Sequence, residues 1–481
     1  VSNSMPAPGW GPQALHFGAD ILTAEQMRQA EQMLIDAGIS VELLMARAGR
    51  GAAELIWRMA GPLKIISVLV GPGHNGGDGW VIARHLHERG ARVQVVMAHA
   101  PASEASRLAR AAFEGHVVDC PDHGDLHGDI LVDCLYGTGL SRPLSDLDLD
   151  LLTGLAAGHR RRVALDLPSG VEADRGDDFG QDLPQYDLTI ALGAWKRAHG
   201  LMPAAGRMGV LKLVEIGCDP VAGAGHMLEG ISIAPPAPGA HKYTRGLLGV
   251  VAGAMPGAAL MAARAAGGAG AGYVRLLTQD ALPAPADLVV QGLDGLADKR
   301  LCALLVGPGL GRDKTAEAVL KSVLATGKPL VLDGDALMLL TPAQTRGQQA
   351  IVTPHEGEFA ALESAFALHA NGSKVKRAKA LAEASGMVVV AKGPDTVVAT
   401  PAGRWTMLPR ASSWLSVAGS GDVLAGLIAS RLATGASTGV SAFEAACQGA
   451  WLHGRAAGLL GGPFTAMALA EAVPAAVHAC L

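Results

Sequence analysis

A short β-branched run, Lys64 to Val70, passes directly into the glycine-rich stretch Gly71-Pro-Gly-His-Asn-Gly-Gly-Asp-Gly79. A helix-period segment, Trp80 to Arg89, then leads to a second strand-like run near Val93 to Met97. Strand, glycine turn, helix and strand make a βαβ unit, and its right-handed crossover returns the chain in the same direction, so the sheet must be parallel. Runs at Asp129–Leu135, Arg162–Leu167, Tyr186–Leu192 and Val210–Val214 extend it. Ahead of the unit, Thr23-Ala-Glu-Gln26 is a capping-box pattern, and Met27, Ala30, Leu34 and Ala37 recur at helical spacing up to Gly38. A second helical segment, Val41 to Met59, stops at Gly61-Pro62.

A chain of 481 residues is too long for one ordinary core. Between Gly217 and Ala240 the composition shifts to a connection, with Gly223, Pro235, Pro236 and Pro238. The alternation then restarts at Leu247–Ala252 and runs through Ala303–Val306, Pro329–Leu332, Ile351–Val352 and Met387–Ala391, with a last helix from near Asp422. No short internal repeat is visible. The prediction is two α/β domains, residues 16–217 and 238–481, joined by a linker at 218–237.

Hydrophobic residues at 49% and charged residues at 17% place the chain among globular proteins, and 63 glycines with few aromatics suit sites built from glycine loops. The net charge of −5 argues against a nucleic-acid partner, which needs a basic excess. Six cysteines (Cys120, Cys134, Cys218, Cys302, Cys447, Cys480) show neither zinc spacing nor a disulfide framework, so a reducing cytoplasm is expected. The longest apolar tract, Leu247 to Ala263, is broken by Gly253, Pro256 and Gly257 and is no membrane span. The opening of the chain has neither a charged n-region nor an apolar h-region, so no signal peptide is expected.

In the first domain, three strand ends should face one crevice, because parallel-sheet sites gather at the carboxyl ends of strands. The Gly71–Gly79 loop lets backbone N–H groups approach an anion. Asp133 ends a strand and precedes Cys134-Leu-Tyr-Gly-Thr-Gly-Leu-Ser-Arg-Pro143; Asp166 ends the next and precedes Leu-Pro-Ser-Gly170. Glycines alone could serve tight turns, and Asp78 and Asp166 could cap helices or turns.

Asn75-Gly-Gly-Asp-Gly79, the Asp133 to Pro143 motif and Asp166 to Gly170, in that order, resemble the NAD(P)H-hydrate epimerase family, the YjeF N-terminal domain, over about Leu22 to Gly217. The resemblance implies a Rossmann-like three-layer sandwich. It further implies that Asn75, Asp133 and Ser169 hold a potassium ion, and that Asp133 is the acid/base at the hydroxyl-bearing carbon. His74, Asn75, Gly76, Gly77 and Asp78 would bind the hydrated dinucleotide, as would Gly137, Thr138, Gly139, Leu140, Ser141, Arg142, Pro143 and Asp166. Lys196 matches a family lysine, although Trp195 replaces the usual proline before it, so a catalytic role and a surface lysine are both open. His74 stands where the family has Asn, and Ala46-Arg47 replaces Glu-Asn, exchanging a carboxylate for a cation.

The strongest motif of the second half is Ala418-Gly-Ser-Gly-Asp-Val-Leu-Ala-Gly426. Small residues permit a close backbone turn, and Asp422 at a helix start can take a proton from a hydroxyl that attacks a phosphoryl group. This resembles the ribokinase-like superfamily. His241-Lys, Pro256-Gly-Ala-Ala, Gly307-Pro-Gly-Leu-Gly, Asp333-Gly-Asp-Ala-Leu, Thr353-Pro-His-Glu-Gly-Glu and Lys392-Gly-Pro-Asp-Thr narrow it to the ADP/ATP-dependent NAD(P)H-hydrate dehydratase family, over about Pro238 to Leu481. By that resemblance the domain is a ribokinase-like three-layer sandwich. Ala258, Gly309, His355 and Asp422 would contact the hydrated cofactor, and Lys392, Gly393, Pro394, Asp395, Thr396 and Gly421 the adenine nucleotide. Ser420 keeps the hydroxyl of a usual Thr. His355 could instead close a turn, Glu356 and Glu358 could serve a helix start, and Asp333 and Asp335 read either as turn residues or as magnesium-positioning carboxylates.

Together the resemblances imply repair of hydrated NADH and NADPH: epimerisation in one domain, and in the other phosphorylation of the hydroxyl by ADP with magnesium, then loss of phosphate. Homo-oligomeric assembly is implied too. ADP against ATP, and NADHX against NADPHX, stay open, as does whether residues before Met5 are native. A vitamin or sugar kinase with an accessory nucleotide-binding domain would share the second site but leave a stable phosphorylated product. A purely binding first domain would not need Asp133 and Ser169.

Overall fold

The computed structural model describes residues 15–60, 65–119, 126–279, 283–369 and 371–481. The helix stop at Gly61-Pro62, Cys120 and the residues around Met5 lie outside that range. Two compact units result: one spans Ala19–Gly225, the other His226–Leu481 together with Leu15–Gly18.

In the first unit, seven parallel strands lie in the order His116–Asp119, Arg92–Met97, Ile65–Val70, Gly128–Cys134, His159–Leu165, Leu188–Leu192, Val210–Val214. Strands of a parallel sheet covered on both faces must be apolar on both. Accordingly Ile66, Val68, Val70, Ile130 and Val132 enter one core cluster with helices Val41–Ala60 and His74–Glu88. Leu69 and Leu131 point the other way, into a cluster with helix Asp146–Ala157. The sheet is the middle layer of a sandwich. The edge strand His116–Asp119 was not legible, because four residues carry too little period to read.

The second unit repeats this plan. Its parallel strands run Val289–Gln291, Tyr273–Leu277, Leu247–Val251, Leu301–Val306, Leu330–Leu332, Ala350–Val352, Val388–Ala391, followed by antiparallel Val397–Ala399 and Trp405–Met407. Helices Pro256–Gly268, Ser420–Thr438, Ala442–Leu460 and Ala466–His478 pack together as a layer on one face. Asp422 therefore does not open the last helix, as the sequence suggested: two more follow. Both are alanine-rich and weakly amphipathic, which blurs the helical period.

The expected linker also hides a strand. Gly225–Ile231 pairs in parallel with Trp405–Met407 through His226↔Thr406 and Met227↔Met407. His16 Nε2 meets Ser232 Oγ at 2.8 Å, which ties the start of strand Leu15–Leu22 to the same unit. Prolines and glycines flanking the short run masked its alternation. Among the described residues, no helix is long and apolar enough to cross a membrane.

Candidate active sites

The first sheet changes direction of growth between Ile65–Val70 and Gly128–Cys134. At such a switch point the loops leaving adjacent strands diverge and open a crevice. The helix after the first loop begins at His74 rather than Trp80, so Asn75 to Asp78 form its first turn. Close packing explains several glycines there. A Cβ on Gly76 would lie 1.9 Å from the Gly71 carbonyl oxygen, and one on Gly71 1.9 Å from that of Leu135. Gly76→Ala should cost on the order of 3 kcal/mol through backbone displacement, read as a lower urea midpoint.

The loops converge on a small set of polar groups. A Cβ at Gly137 would stand 3.2 Å from Asn75 Oδ1 and 3.3 Å from Asp166 Oδ2. The Asn75 amide nitrogen is buried without a hydrogen-bond partner among the described residues, a cost that a bound ligand would remove. Thr138 and Leu140 are half-buried, while Gly139, Ser141, Arg142 and Pro143 are exposed, as is His74.

Asp166 holds a left-handed backbone, φ 63°. Its Oδ1 accepts from Lys196 Nζ at 2.5 Å and from the Leu192 N–H at 3.3 Å. Lys196 is almost fully buried and also donates to the Leu192 carbonyl at 2.6 Å, so it is no surface lysine. His199, which the sequence reading passed over, fixes this pair. Its Nδ1 accepts from the Lys196 N–H at 2.8 Å, leaving Nε2–H to donate to the Asp166 carbonyl at 2.7 Å. Burial, aided by Lys196, lowers its pKa to about 4, so it stays neutral. Burial also raises the carboxyls of Asp78 and Glu31, the latter on helix Ala24–Asp36 and a second residue not foreseen. His199 stood three residues after a singled-out lysine, a signal available in hindsight; Glu31 offered none.

Asp133 is placed differently from the expectation of a crevice-facing acid/base. It is fully buried, and four donors occupy its carboxylate. Oδ1 accepts from Ser169 Oγ at 2.7 Å and the Leu135 N–H at 3.1 Å; Oδ2 accepts from the Ser169 N–H at 3.0 Å and Tyr186 Oη at 2.6 Å. Burial pushes its pKa up, and these hydrogen bonds pull it back. Strand-end position does not reveal which way a side chain points. Tyr186→Phe should cost roughly 1–3 kcal/mol by leaving Asp133 one donor short, measured by chemical denaturation. Arg47, the cation in place of a family residue, donates to the Ile216 carbonyl at 3.0 Å and so serves the fold.

The second sheet switches between Leu247–Val251 and Leu301–Val306. The loops after them interlock: the Met255 N–H donates to the Gly309 carbonyl at 2.8 Å, and Ala258 N–H to the Met255 carbonyl at 3.2 Å. Gly309 has φ 61°, and a Cβ there would lie 2.2 Å from the Met255 oxygen, so the position requires glycine. Asp335 accepts from the Gly311 N–H at 2.9 Å and Arg312 Nε at 2.6 Å, which makes it a turn carboxylate.

Lys392 is the hub. Its Nζ donates to Asp333 Oδ1 at 2.7 Å, lies 3.6 Å from Glu358 Oε2, and would be 3.5 Å from a Cβ on Gly421. Asp333 is further held by Thr353 Oγ1 at 2.6 Å. Asp422 lies in the first turn of helix Ser420–Thr438, after Gly419 in the left-handed region, φ 89°. Burial, then the charges of Asp333 and Glu358, raise its pKa to about 6 against the pull of Lys392. His453, another residue not foreseen, donates from Nε2 to the Ser420 carbonyl at 2.9 Å; burial lowers its pKa to about 4, so it holds the helix start as a neutral group.

His355 caps helix Glu356–Ala365: its Nδ1 accepts from the Gly357 and Glu358 N–H groups, and Glu358 accepts from the His355 N–H at 2.9 Å. The turn role is thus present, and the side chain stays exposed. In the Lys392–Thr396 segment, Asp395 is ion-paired with Lys374, which also donates to the Lys392 carbonyl at 3.1 Å, while Thr396 Oγ1 donates to the Gly393 carbonyl at 2.7 Å. Asp395 thus shapes the loop that carries Lys392, and Pro394 lies within it.

Two switch-point crevices, one with a buried lysine–aspartate pair and one with an aspartate poised near pH 6 at a helix start, define a two-site α/β enzyme. The family described as YjeF-related protein N-terminus matches residues 41–198, and that described as NAD(P)H-hydrate dehydratase matches 248–474. The bifunctional NAD(P)H-hydrate repair enzyme Nnr of Salinibacter ruber is 35% identical, covering 87% of this chain and 88% of its own. That of Mycobacterium leprae is 34% identical, over 90% and 92%. A solved ADP/ATP-dependent NAD(P)H-hydrate dehydratase from Bacillus subtilis, co-crystallised with ATP and Mg2+, is 26% identical with a TM-score of 0.45, covering 52% of this chain and 95% of that one. The chain belongs to the family of bifunctional NAD(P)H-hydrate repair enzymes.

Proposed function

We propose that the chain restores hydrated NADH and NADPH, epimerising the R and S forms in its first unit and dehydrating the S form in its second, with ADP as phosphoryl donor. The observation that carries this reading is Asp422, raised to about 6 beside Lys392 and following a glycine turn. Hydroxide is a poor leaving group. Asp422 accepts the proton of the substrate hydroxyl as the hydroxyl oxygen attacks the terminal phosphoryl of ADP and AMP departs; phosphate then leaves while the adjacent ring carbon loses a proton to solvent, and the ring regains its double bond. Lys392 and the Gly419–Gly421 turn offset the phosphoryl charge. In this reading Ala258, Gly309 and His355 would contact the hydrated cofactor, and Lys392–Thr396 with Gly421 the adenine nucleotide. Magnesium typically keeps its waters and rides on phosphates with one or two carboxylates, a role open to Asp333. When bound, it would neutralise phosphate charge.

In the first unit, Asp166 is the better candidate for moving the proton. Its Oδ2 faces Asn75 and Gly137, and Lys196 anchors its other oxygen. Asp133 organises the site instead. Its oxygens, with Ser169 Oγ and the Tyr136 carbonyl, form a hard-donor cluster, since Ser169 Oγ lies 2.7 Å from Asp133 Oδ1 and 3.2 Å from that carbonyl. Such a set suits potassium, with Asn75 as a further ligand through its amide oxygen; the ion would balance the charge of a buried carboxylate. Oligomeric assembly and a cytoplasmic setting are part of the same reading.

The test supplies separated R and S epimers with ADP or ATP and magnesium, and follows recovery of the reduced-nicotinamide absorbance. Recovery from both epimers is expected. A stable phosphorylated product without recovery would favour a small-molecule kinase.

A further inference from the structure

Trp414 is 51% exposed, unusual for so large an apolar side chain in a chain with seven tryptophans. Its indole has neither a ring partner nor a hydrogen bond among the described residues. Its backbone, by contrast, is fixed. It sits in the single 3-10 turn Ser413–Leu415, whose start is capped by Ser412 Oγ accepting from the Trp414 N–H at 3.3 Å. Ser420 Oγ donates to the Leu415 carbonyl at 2.7 Å, and Ser420 N–H to the Val417 carbonyl at 3.2 Å. The turn is therefore tied to the residue two before Asp422. Leu415 anchors it by packing on the core. A second exposed apolar side chain, Met255 at 60%, heads helix Pro256–Gly268, whose Met261 sulfur would be 2.8 Å from a Cβ on Gly419.

We propose that Trp414 is a stacking platform for an adenine ring bound beside the phosphoryl-transfer turn. An indole with two rotatable bonds on a fixed backbone loses little entropy on binding, and base–aromatic stacking tolerates any flat heterocycle. The hydrated nicotinamide is a poor stacking partner because its ring is partly saturated, so adenine is the group selected. Both substrates carry one: ADP, and the adenylyl half of the dinucleotide. This rests on the reading of Gly419–Asp422 as the site of phosphoryl transfer.

The experiment uses the full chain and three variants, Trp414→Ala, Trp414→Phe and Asp422→Asn. Indole fluorescence is titrated with AMP, ADP and ribose 5-phosphate, and steady-state KM is measured for ADP and the S hydrate separately. In the wild type, AMP and ADP should quench the emission and the sugar phosphate should not, and Trp414→Ala should lose the quench. Trp414→Ala should raise one KM roughly tenfold with kcat unchanged, and Trp414→Phe should restore it; the KM that moves identifies which adenine stacks. Asp422→Asn should lose turnover but keep the quench, which separates failure of the site assignment from failure of the stacking. Unchanged KM values in Trp414→Ala, or a changed oligomeric state as its only effect, would overturn the proposal.

Discussion

Asp422→Asn should lower dehydration of the S hydrate by roughly 10²–10⁴-fold, with ADP binding retained and the fold unchanged. An amide cannot take the hydroxyl proton, yet it fills the same space in the first helical turn. The pH dependence gives an independent reading. With its pKa raised to about 6, Asp422 is protonated and inactive below that pH and becomes a base above it, so wild-type kcat should climb as pH rises through about 6. Glu358 is one of the charges that raise this pKa. Glu358→Gln removes it while an amide can still accept from the His355 N–H, so the acid limb should move to lower pH. A profile that moves upward, or an Asn variant with full turnover, would transfer the base role to another group.

Lys196→Met should produce the largest loss in the first unit. It leaves the Asp166 carboxylate buried without its cation, and breaking such a pair costs about 3–5 kcal/mol. Asp166→Asn combined with Lys196→Met removes both charges and should recover most of that stability. Epimerisation, measured as turnover of the R hydrate through the intact dehydratase, should stay lost in both. The comparison separates the two roles, because stability follows charge balance and activity follows the carboxylate. If Asp166→Asn alone kept epimerising, the proton would have to move through Asp133 after all, despite its four donors.

Much of the fold was readable because parallel sheets advertise themselves: continuous β-branched runs ending in glycine loops have few other ways to fold. Ile65–Val70, Gly128–Cys134 and Leu301–Val306 all fell where expected to within a residue or two. Short edge strands and the strand inside the Pro/Gly-rich connection did not, since three to seven residues among turn formers leave no period to detect. The glycine motifs do follow strand ends, as Gly71 and Gly307 show. They could not tell which glycines serve packing, as Gly71 and Gly76 do, from those that leave open space, as Gly139 does.

By itself the sequence determined two α/β units and the family, because these follow from pattern and spacing along the chain. Only the tertiary structure decided how the carboxylates are used. Asp133 and Asp166 look alike in sequence, each closing an apolar strand, yet one is surrounded by donors and the other is held by a buried lysine beside an unpaired amide. Likewise the Asp422 carboxyl is raised to about 6 because folding buries it and brings Asp333 and Glu358, distant in the chain, against it, with Lys392 pulling the other way. Side-chain direction and the charges of non-neighbours set protonation, and no local pattern encodes either.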